Sequence, residues 1–138
     1  MSNCVILDTH VLLWSLLQPE ELTEETKSKV EQAHKKQNLL VSSISLWEIA
    51  MLSHKKRIYI FEPIKNFLSS IEEISGINIC AISAEVAAES ILLQNNFHGD
   101  PADRIIVSTA RVYSATLLTR DKQILHWSEY GSLKCLKV

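Results

Sequence analysis

The chain contains few glycine and proline residues, which interrupt helices and strands. Its 138 residues include three glycines and three prolines, which is too few for a collagen-like chain or for one built of flexible linkers. A hydrophobic content of 46% with 22% charged residues also excludes an intrinsically disordered protein. There is no internal repeat and no low-complexity tract. The length suits a single domain over residues 1–138, which removes about two-thirds of the unfolded surface from water.

Cysteine is also scarce, and its placement favours neither disulfides nor a zinc site. Cys4, Cys80 and Cys135 are odd in number, far apart and set in short apolar runs, so we expect three small buried hydrophobic side chains. The five histidines are scattered without the spacing of metal ligands. Such thiols are typical of a reducing compartment, and the sequence predicts a cytoplasmic protein.

Long apolar runs and a strong net charge are missing as well. No run approaches the ~20 residues of a membrane span. The N-terminal apolar stretch has no basic leader and is interrupted by Asp8 and His10, so we expect neither a signal peptide nor a membrane partner. The net charge of −2 excludes binding of nucleic acid through bulk charge, although it is compatible with a local basic patch.

What is present is an alternation of short apolar strands and helices. Strands are predicted at residues 4–7, 39–41, 77–82, 115–118 and 133–138. Helices are predicted after Asp8, at residues 23–36, 44–53, 63–73 and 84–93, and from residue 100 onward. Parallel strands need helical crossovers. This order therefore predicts an α/β fold, a three-layer α/β/α sandwich with a short, mainly parallel central sheet.

Two acids stand at the start of the helix that precedes the fourth strand. Asp100 is a good N-cap, with Pro101 pre-set for the first turn, and capping alone is enough to account for it. Asp103 falls at the third helical position, on the same face as the apolar residues Ile106 and Val107. An acid that is directed along a buried face needs a partner. Asp103 is therefore a candidate functional residue.

A further acid, Glu48, lies among apolar neighbours. On a helix, Ile44 is four residues behind it, and Met51 and Leu52 are three and four residues ahead. An isolated carboxylate would be costly in such surroundings. The alternative is a side chain that extends to solvent or pairs with a cation of the basic run at residues 54–57.

Two more acids follow strands directly. Asp8 ends the first strand and Asp121 follows the fourth, while Glu48 lies early in the helix after the second strand. Ligands of parallel sheets bind beyond the carboxyl ends of the strands. We therefore expect these acids and Asp103 to converge at one edge of the sheet.

Such a cluster of carboxylates calls for positive charge. Carboxylates that are brought together repel one another, and their pKa values rise unless a cation intervenes. No Lys or Arg accompanies all four acids in the sequence, so a hard divalent cation, Mg²⁺ or Mn²⁺, is the expected partner. A metal in such a site orients and activates water for in-line attack on a phosphate ester.

Four segments carry a resemblance to a known family. Each is unspecific alone, but they occur in order over nearly the whole chain, and together they resemble a PIN domain, in particular the VapC-type toxins of bacterial toxin–antitoxin pairs. The segments are Ile6-Leu7-Asp8-Thr9, Ser45-Leu46-Trp47-Glu48-Ile49-Ala50, Asp100-Pro101-Ala102-Asp103-Arg104-Ile105-Ile106-Val107 and Leu118-Thr119-Arg120-Asp121.

The resemblance implies a Mg²⁺- or Mn²⁺-dependent endoribonuclease and assigns roles within it. The catalytic and metal-binding cluster would consist of Asp8, Glu48, Asp103 and Asp121. Asp8 and Asp103 would contact the metal most directly. Thr9 and Thr119 would orient the site, and Asp100 would support the ligands from behind.

The resemblance also implies partners. Proteins of this kind cut structured RNA, often tRNA or ribosomal RNA, and a cognate antitoxin whose C-terminal segment covers the groove holds them inactive. They are commonly homodimers. Two other functions stay open, namely a non-catalytic protein-binding module and a phosphotransfer receiver-like domain. A receiver needs an acceptor aspartate at the end of its third strand, and residues 80–83 contain none.

Aromatic and basic residues have less specific interpretations. The tryptophans are expected to fill core or interface space, and Trp14 with its neighbouring leucines is a candidate for lining an antitoxin groove or a dimer contact. Basic residues are by default solvated, and a subset is a candidate for phosphate contacts beside the acidic cleft. These are Lys55, Lys56, Arg57, Arg104, Arg111 and Arg120.

Overall fold

The computed structural model describes residues 3–93, 97, 99–130 and 133–138. The strands are β1 (Val5–Leu7), β2 (Leu39–Ser42), β3 (Ile77–Cys80), β4 (Thr116–Thr119) and β5 (Cys135–Lys137). The helices are α1 (Thr9–Leu17), α2 (Glu24–Lys35), α3 (Ser43–His54), α4 (Ile64–Glu72), α5 (Ala84–Ile91), α6 (Pro101–Val112) and α7 (Lys122–Ser128). His98, one of the scattered histidines, lies outside the described residues.

The strands form a five-stranded sheet in the order β3-β2-β1-β4-β5, in which all neighbours are parallel. The predicted α/β fold is thus confirmed, and each predicted strand overlaps an observed one. Helix α7 is absent from the sequence prediction, because its seven residues bury only Ile124 and Trp127, too few to show a helical period. Within the described ranges, no helix has the length and hydropathy needed to cross a membrane.

The apolar core occupies both faces of the sheet. Successive strand residues point to opposite faces, so Ile6 and Leu117 pack with residues of α6 and α7. Leu7 and Leu118 pack on the other face with residues of α1, α2 and α4. All four side chains are essentially inaccessible to solvent. This arrangement gives the three layers of the predicted sandwich.

The cysteines follow the expectation only in part. Cys80 is buried at the end of β3, whereas Cys4 and Cys135 are half-buried. The expectation of three fully buried thiols is therefore wrong. Cys135 opens the edge strand β5, which has a neighbour on one side only, and Cys4 precedes β1. Positions at such margins are covered less completely than the interior of the sheet.

The strand order creates a crevice between β1 and β4. The chain adds β2 and β3 on one side of β1 and then returns to place β4 and β5 on the other side. In parallel sheets, ligands bind beyond the carboxyl ends of the strands at such a reversal. The order also differs from the 2-1-3-4-5 order of receiver-type sheets, so the receiver alternative is wrong.

Candidate active site

The carboxyl ends of β1 and β4 open into a pocket of about 400 Å³ that is rich in carboxylates. The structure brings to it all four acids that the sequence singled out, together with Asp100. The lining residues are Asp8, His10, Trp14, Glu48, Asp100, Asp103, Arg120 and Asp121. The convergence expected from the strand ends is thus observed.

Aspartate is confined to this pocket. Of the sixteen acidic residues in the chain four are aspartates, and all four line the pocket. Three of them also cap helices, since Asp8, Asp100 and Asp121 accept hydrogen bonds from the first backbone N–H groups of α1, α6 and α7. Each cap fixes a short side chain close to the backbone, so the carboxylates are held by the helix starts themselves.

Asp8 is the most buried of these acids, with 8% of its surface exposed. Its Oδ1 accepts a hydrogen bond of 2.8 Å from the backbone N–H of Thr9, and its Oδ2 accepts one of 2.6 Å from the hydroxyl of Thr119. Burial raises the pKa of Asp8, the two hydrogen bonds oppose this rise, and the charge of Asp121 adds to it. The carboxylate is therefore held rigidly in an environment that disfavours its charge.

Thr119 connects the ends of β1 and β4. The strands are in register with Leu7 opposite Leu118, which places Thr119 beside Asp8. Besides donating to Asp8, the Thr119 hydroxyl oxygen accepts a hydrogen bond of 3.0 Å from the backbone N–H of Asp121. One buried hydroxyl thus sets the positions of two acids of the pocket.

Glu48 is half-buried on α3 and is held by a different threonine. The hydroxyl of Thr9 donates a hydrogen bond of 2.5 Å to Glu48 Oε1. Burial raises the pKa of Glu48, the bond from Thr9 opposes the rise, and the charges of Asp8 and Asp100 add to it. Among the described residues, no ion pair joins Glu48 to the basic run at 54–57. The structure therefore shows no ion pair of the kind that the alternative interpretation of Glu48 invoked, and Glu48 lines the acidic pocket.

Asp103 stands at the third position of α6, as the sequence predicts. Asp100 is the N-cap, and its Oδ1 accepts a hydrogen bond of 2.9 Å from the Asp103 backbone N–H. Burial, as the largest cause, and four neighbouring negative charges together raise the pKa of Asp103 to about 7. Those charges belong to Asp100, Asp8, Asp121 and Glu48. Every charge that contributes to the shift of the Asp103 pKa is therefore negative.

Comparison with known proteins identifies the family. The sequence profile of the PIN domain matches residues 5–129, a range that contains every acid of the pocket. The chain belongs to the PIN domain family. The resemblance seen in the four sequence segments is thus confirmed. This PIN domain is also 33% identical over 120 residues to Ribonuclease VapC22 of Mycobacterium tuberculosis, covering 87% of this chain and 88% of that relative.

Solved structures share the fold of this PIN domain. The DNA-bound VapBC structure from Salmonella typhimurium aligns with a TM-score of 0.72 and 14% identity, over 98% of both chains. VapBC2 from Rickettsia felis, bound to a promoter DNA fragment, aligns with a TM-score of 0.70 and 18% identity, over 97% of this chain and 98% of that one. FitAcB from Neisseria gonorrhoeae aligns with a TM-score of 0.65 and 20% identity, over 96% of both chains. At these identities, the likeness concerns the fold.

The donor set of the PIN domain pocket fits a hard divalent cation. Its carboxylate oxygens are the ligands that Mg²⁺ and Mn²⁺ prefer. Within the part of the chain that the structure describes, no group of three or more His, Cys, Asp or Glu side chains is arranged to hold an ion by itself. Mg²⁺ commonly contacts only one or two carboxylates and keeps several waters. The four carboxylate charges that contribute to the raised pKa of Asp103 favour added positive charge here.

Arg120 lies at the rim of the pocket, but its donors are used within the protein. Its guanidinium donates to the backbone carbonyl of Glu21 at 2.6 Å and to that of Val138 at 3.2 Å, and it pairs with the Glu21 carboxylate at 3.3 Å. The guanidinium carbon also lies 4.1 Å from the ring centre of Trp14. Arg120 stands between Thr119 and Asp121 in the chain, so these contacts fix the loop that carries both.

Two other arginines proposed as phosphate contacts are also engaged internally. Arg104 donates to the backbone carbonyls of Ser90 and Phe97, each at 3.0 Å. Arg111 forms an ion pair of 3.1 Å with Glu89. The basic run at 55–57 is exposed, as expected of a solvated helix end.

An apolar hollow of about 450 Å³ adjoins the acidic pocket, and the two share His10 and Trp14. The sequence indicates Trp14 with Leu13, Leu16 and Leu17 as a candidate partner surface. Leu13 and Leu17 line this hollow, whereas Leu16 lines a different one. Its outer wall includes Tyr59 and Phe61, whose rings form an edge-to-face pair and which are 74% and 90% exposed. So large an exposed aromatic pair is typical of an interaction surface.

Proposed function

We propose that this PIN domain is a metal-dependent endoribonuclease that cleaves RNA phosphodiester bonds and acts as a toxin neutralised by a cognate antitoxin. The observation that carries the proposal is the pocket that holds Glu48 and every aspartate of the chain. Titratable groups with raised pKa values in a cleft mark candidate functional sites. The 33% identity to a protein named Ribonuclease VapC22 supports RNA as the substrate.

The proposed metal is Mg²⁺ or Mn²⁺. Asp8 and Asp103 would hold it directly, while Glu48 and Asp121 would bind the waters that it retains. When bound, such a cation supplies an activated water and neutralises charge on the phosphoryl oxygens. The chain itself supplies the geometry in which this chemistry takes place.

Hydroxyl groups and helix caps provide that geometry. Thr119 and Thr9 keep the carboxylates of Asp8 and Glu48 directed at the pocket. Asp100 starts α6 so that Asp103 stands at the mouth of the pocket. With a pKa of about 7, Asp103 retains its proton in part of the molecules at neutral pH, and a bound cation would displace that proton.

The proposed regulatory partner is an antitoxin that lies in the apolar hollow beside the acids. The fold is also similar, with a TM-score of 0.56 and 24% identity, to that of a toxin–antitoxin complex from Klebsiella pneumoniae. The hollow exposes Trp14, Tyr59 and Phe61 for contact with a segment of the antitoxin. It adjoins the pocket that the carboxylates line. We further propose a cytoplasmic homodimer that acts on structured RNA, either tRNA or ribosomal RNA.

Cleavage of purified RNA tests the proposal. The protein should cut structured RNA in the presence of Mg²⁺ or Mn²⁺ and stop when EDTA is added. Asp8→Asn should reduce the rate by about 100-fold or more, because metal assistance contributes several kcal/mol. Glu129→Gln is the control. Glu129 is an exposed acid at the C-terminal end of α7, where it pairs with His126.

The opposite outcomes are equally clear. Unchanged cleavage by Asp8→Asn would refute the site, and cleavage that persists in EDTA would refute the metal. A well-folded wild-type protein that cuts no RNA under any of these conditions would favour the non-catalytic binding module instead.

A further inference from the structure

A buried hydroxyl of α3 lies behind the threonine that holds Glu48. Ser45 is inaccessible to solvent, and its Oγ lies 2.9 Å from the hydroxyl oxygen of Thr9. Thr9 Oγ1 in turn lies 2.5 Å from Glu48 Oε1. Ser45 and Glu48 are three residues apart on the helix and so share a face. The three side chains therefore form one connected chain of oxygen atoms.

The direction of the hydrogen bonds follows from counting protons. An ionised carboxylate only accepts hydrogen bonds, and a hydroxyl has a single proton to donate. Thr9 uses its proton on Glu48, so the bond between the two hydroxyls must be donated by Ser45. The order is Ser45 to Thr9 to Glu48. In such a chain each bond polarises and strengthens the next.

We propose that Ser45 is a positioning residue of the acidic pocket, which holds the Thr9 hydroxyl in the orientation that fixes the Glu48 carboxylate. Neither the family comparison nor the four acids assign a role to this side chain. The inference rests on the proposed function, because its consequence is measured as binding of a divalent cation to the pocket.

Local structure does not account for a serine at this position. The N-cap of α3 is Ser42, whose hydroxyl oxygen accepts from the Ile44 backbone N–H at 3.2 Å, so Ser45 is not needed for capping. Alanine is the better helix former, and burying a hydroxyl is costly unless it is hydrogen-bonded. The bond that Ser45 gives to Thr9 is what offsets this cost.

The chain offers a matched control for the loss of a buried hydroxyl. Ser108 on α6 is also inaccessible to solvent, and within the described residues its Oγ has no hydrogen-bond partner. Ser108→Ala and Ser45→Ala thus remove the same atom from the same degree of burial. They differ in whether the hydroxyl belongs to the chain that ends on Glu48.

The test measures Mn²⁺ binding to the metal-free protein by electron paramagnetic resonance, without RNA. Ser45→Ala should weaken binding about fivefold, which is the effect of losing one neutral hydrogen bond, and Ser108→Ala should leave it unchanged. In a Thr9→Val background, Ser45→Ala should have no further effect, because the link to Glu48 is already broken. Ser45→Cys, which keeps the shape of the side chain with a larger atom and a weak donor, should bind Mn²⁺ with an intermediate affinity.

The outcomes separate this inference from the proposed function. A purely structural role for Ser45 would lower the unfolding temperature of Ser45→Ala and leave its Mn²⁺ affinity at the wild-type value, which would overturn the inference. Additive effects of the Ser45 and Thr9 substitutions would overturn the relay. Wild-type protein that binds Mn²⁺ but cuts no RNA would refute the proposed nuclease activity, while the Mn²⁺ affinities of the Ser45 variants would still test the positioning role. Absence of Mn²⁺ binding by the wild type would overturn both the proposed function and the role of Ser45. If Ser45→Ala does not fold, the Mn²⁺ affinity of Ser45→Cys tests the inference instead.

Discussion

Thr119 donates a hydrogen bond of 2.6 Å to Asp8, although 111 residues separate them in the chain. The contact exists because β1 and β4 are parallel neighbours in register, so the residues that follow Leu7 and Leu118 meet side by side. Both partners are buried. The most buried acid of the pocket is thus fixed by the far end of the sequence, and this dependence can be tested.

Thr119→Val should reduce RNA cleavage by about tenfold or more and weaken Mn²⁺ binding, because it leaves one Asp8 oxygen and the Asp121 N–H without their partner. Thr109→Val is the matched control. Thr109 is equally buried, but its hydroxyl donates to the Ile105 backbone carbonyl within α6. Cleavage rates and Mn²⁺ affinities of the two variants decide the matter, and an equal loss in both would contradict a specific role for Thr119.

The stability of the metal-free protein should fall as pH rises from about 4 to about 7. The ordinary pKa of an aspartate side chain is 3.8, and the fold raises the pKa of Asp103 to about 7. A raised pKa means that the folded protein binds this proton more tightly, so the stabilisation is full below pH 3.8 and is lost as pH passes 7. The shifts of Asp8 and Glu48 have the same sign.

Thermal unfolding in EDTA at a series of pH values measures this effect. Asp103→Asn should unfold at a temperature that depends less on pH, and Mg²⁺ added at pH 8 should stabilise the wild type more than the variant. A pH dependence that is identical in the two proteins would show that Asp103 carries no such proton.

Glu48→Gln should fold normally and lose Mn²⁺ affinity together with cleavage. The amide keeps an oxygen that can accept from Thr9, so packing around α3 is preserved while the negative charge is removed. Glu31→Gln is a suitable control, because Glu31 is an exposed helical acid paired with Lys35. Circular dichroism establishes folding, and a variant that is less stable but keeps the wild-type Mn²⁺ affinity would assign Glu48 a structural role.

Arg120→Lys should lower the free energy of unfolding by about 1 kcal/mol and reduce cleavage more than its effect on stability explains. Lysine lacks the planar guanidinium group, which donates to the backbone carbonyls of Glu21 and Val138 and stacks on Trp14 at the same time. Arg111→Lys tests the same chemical change away from the pocket, at an ion pair with Glu89. Denaturant unfolding and cleavage assays compare the two variants. Unaltered cleavage by Arg120→Lys would show that the loop with Thr119 and Asp121 keeps its conformation without the Arg120 contacts.

Sequence patterns predict much of this molecule because several features are local. The cap at Asp100, the position of Asp103 on the apolar face of α6 and the alternation of strands with helices all depend on neighbours within a few residues. These local patterns were sufficient to predict the α/β fold and the convergence of the acids at the strand ends. Strand order was not predictable, because it depends on packing between segments that are distant in the chain.

The same distinction explains what was missed. Ser45 and Thr9 are 36 residues apart, and Arg120 and Glu21 are 99 apart. No periodicity links such positions, and serine or arginine at a surface or helix site is unremarkable by itself. One further signal is present in the sequence, namely that all four aspartates of the chain fall within three of the four segments that resemble a PIN domain.

The strand order also has a consequence for the chain during its synthesis. Strand β1 is synthesised before its neighbour β4, which carries Thr119 and is followed by Asp121, and β2 and β3 are synthesised between the two. A ribosome translating this message therefore carries a nascent chain whose pocket lacks one wall. The proposed nuclease thus lacks Thr119 and Asp121 until β4 and the loop after it have been synthesised, and a truncated product that ends before β4 should not cleave RNA.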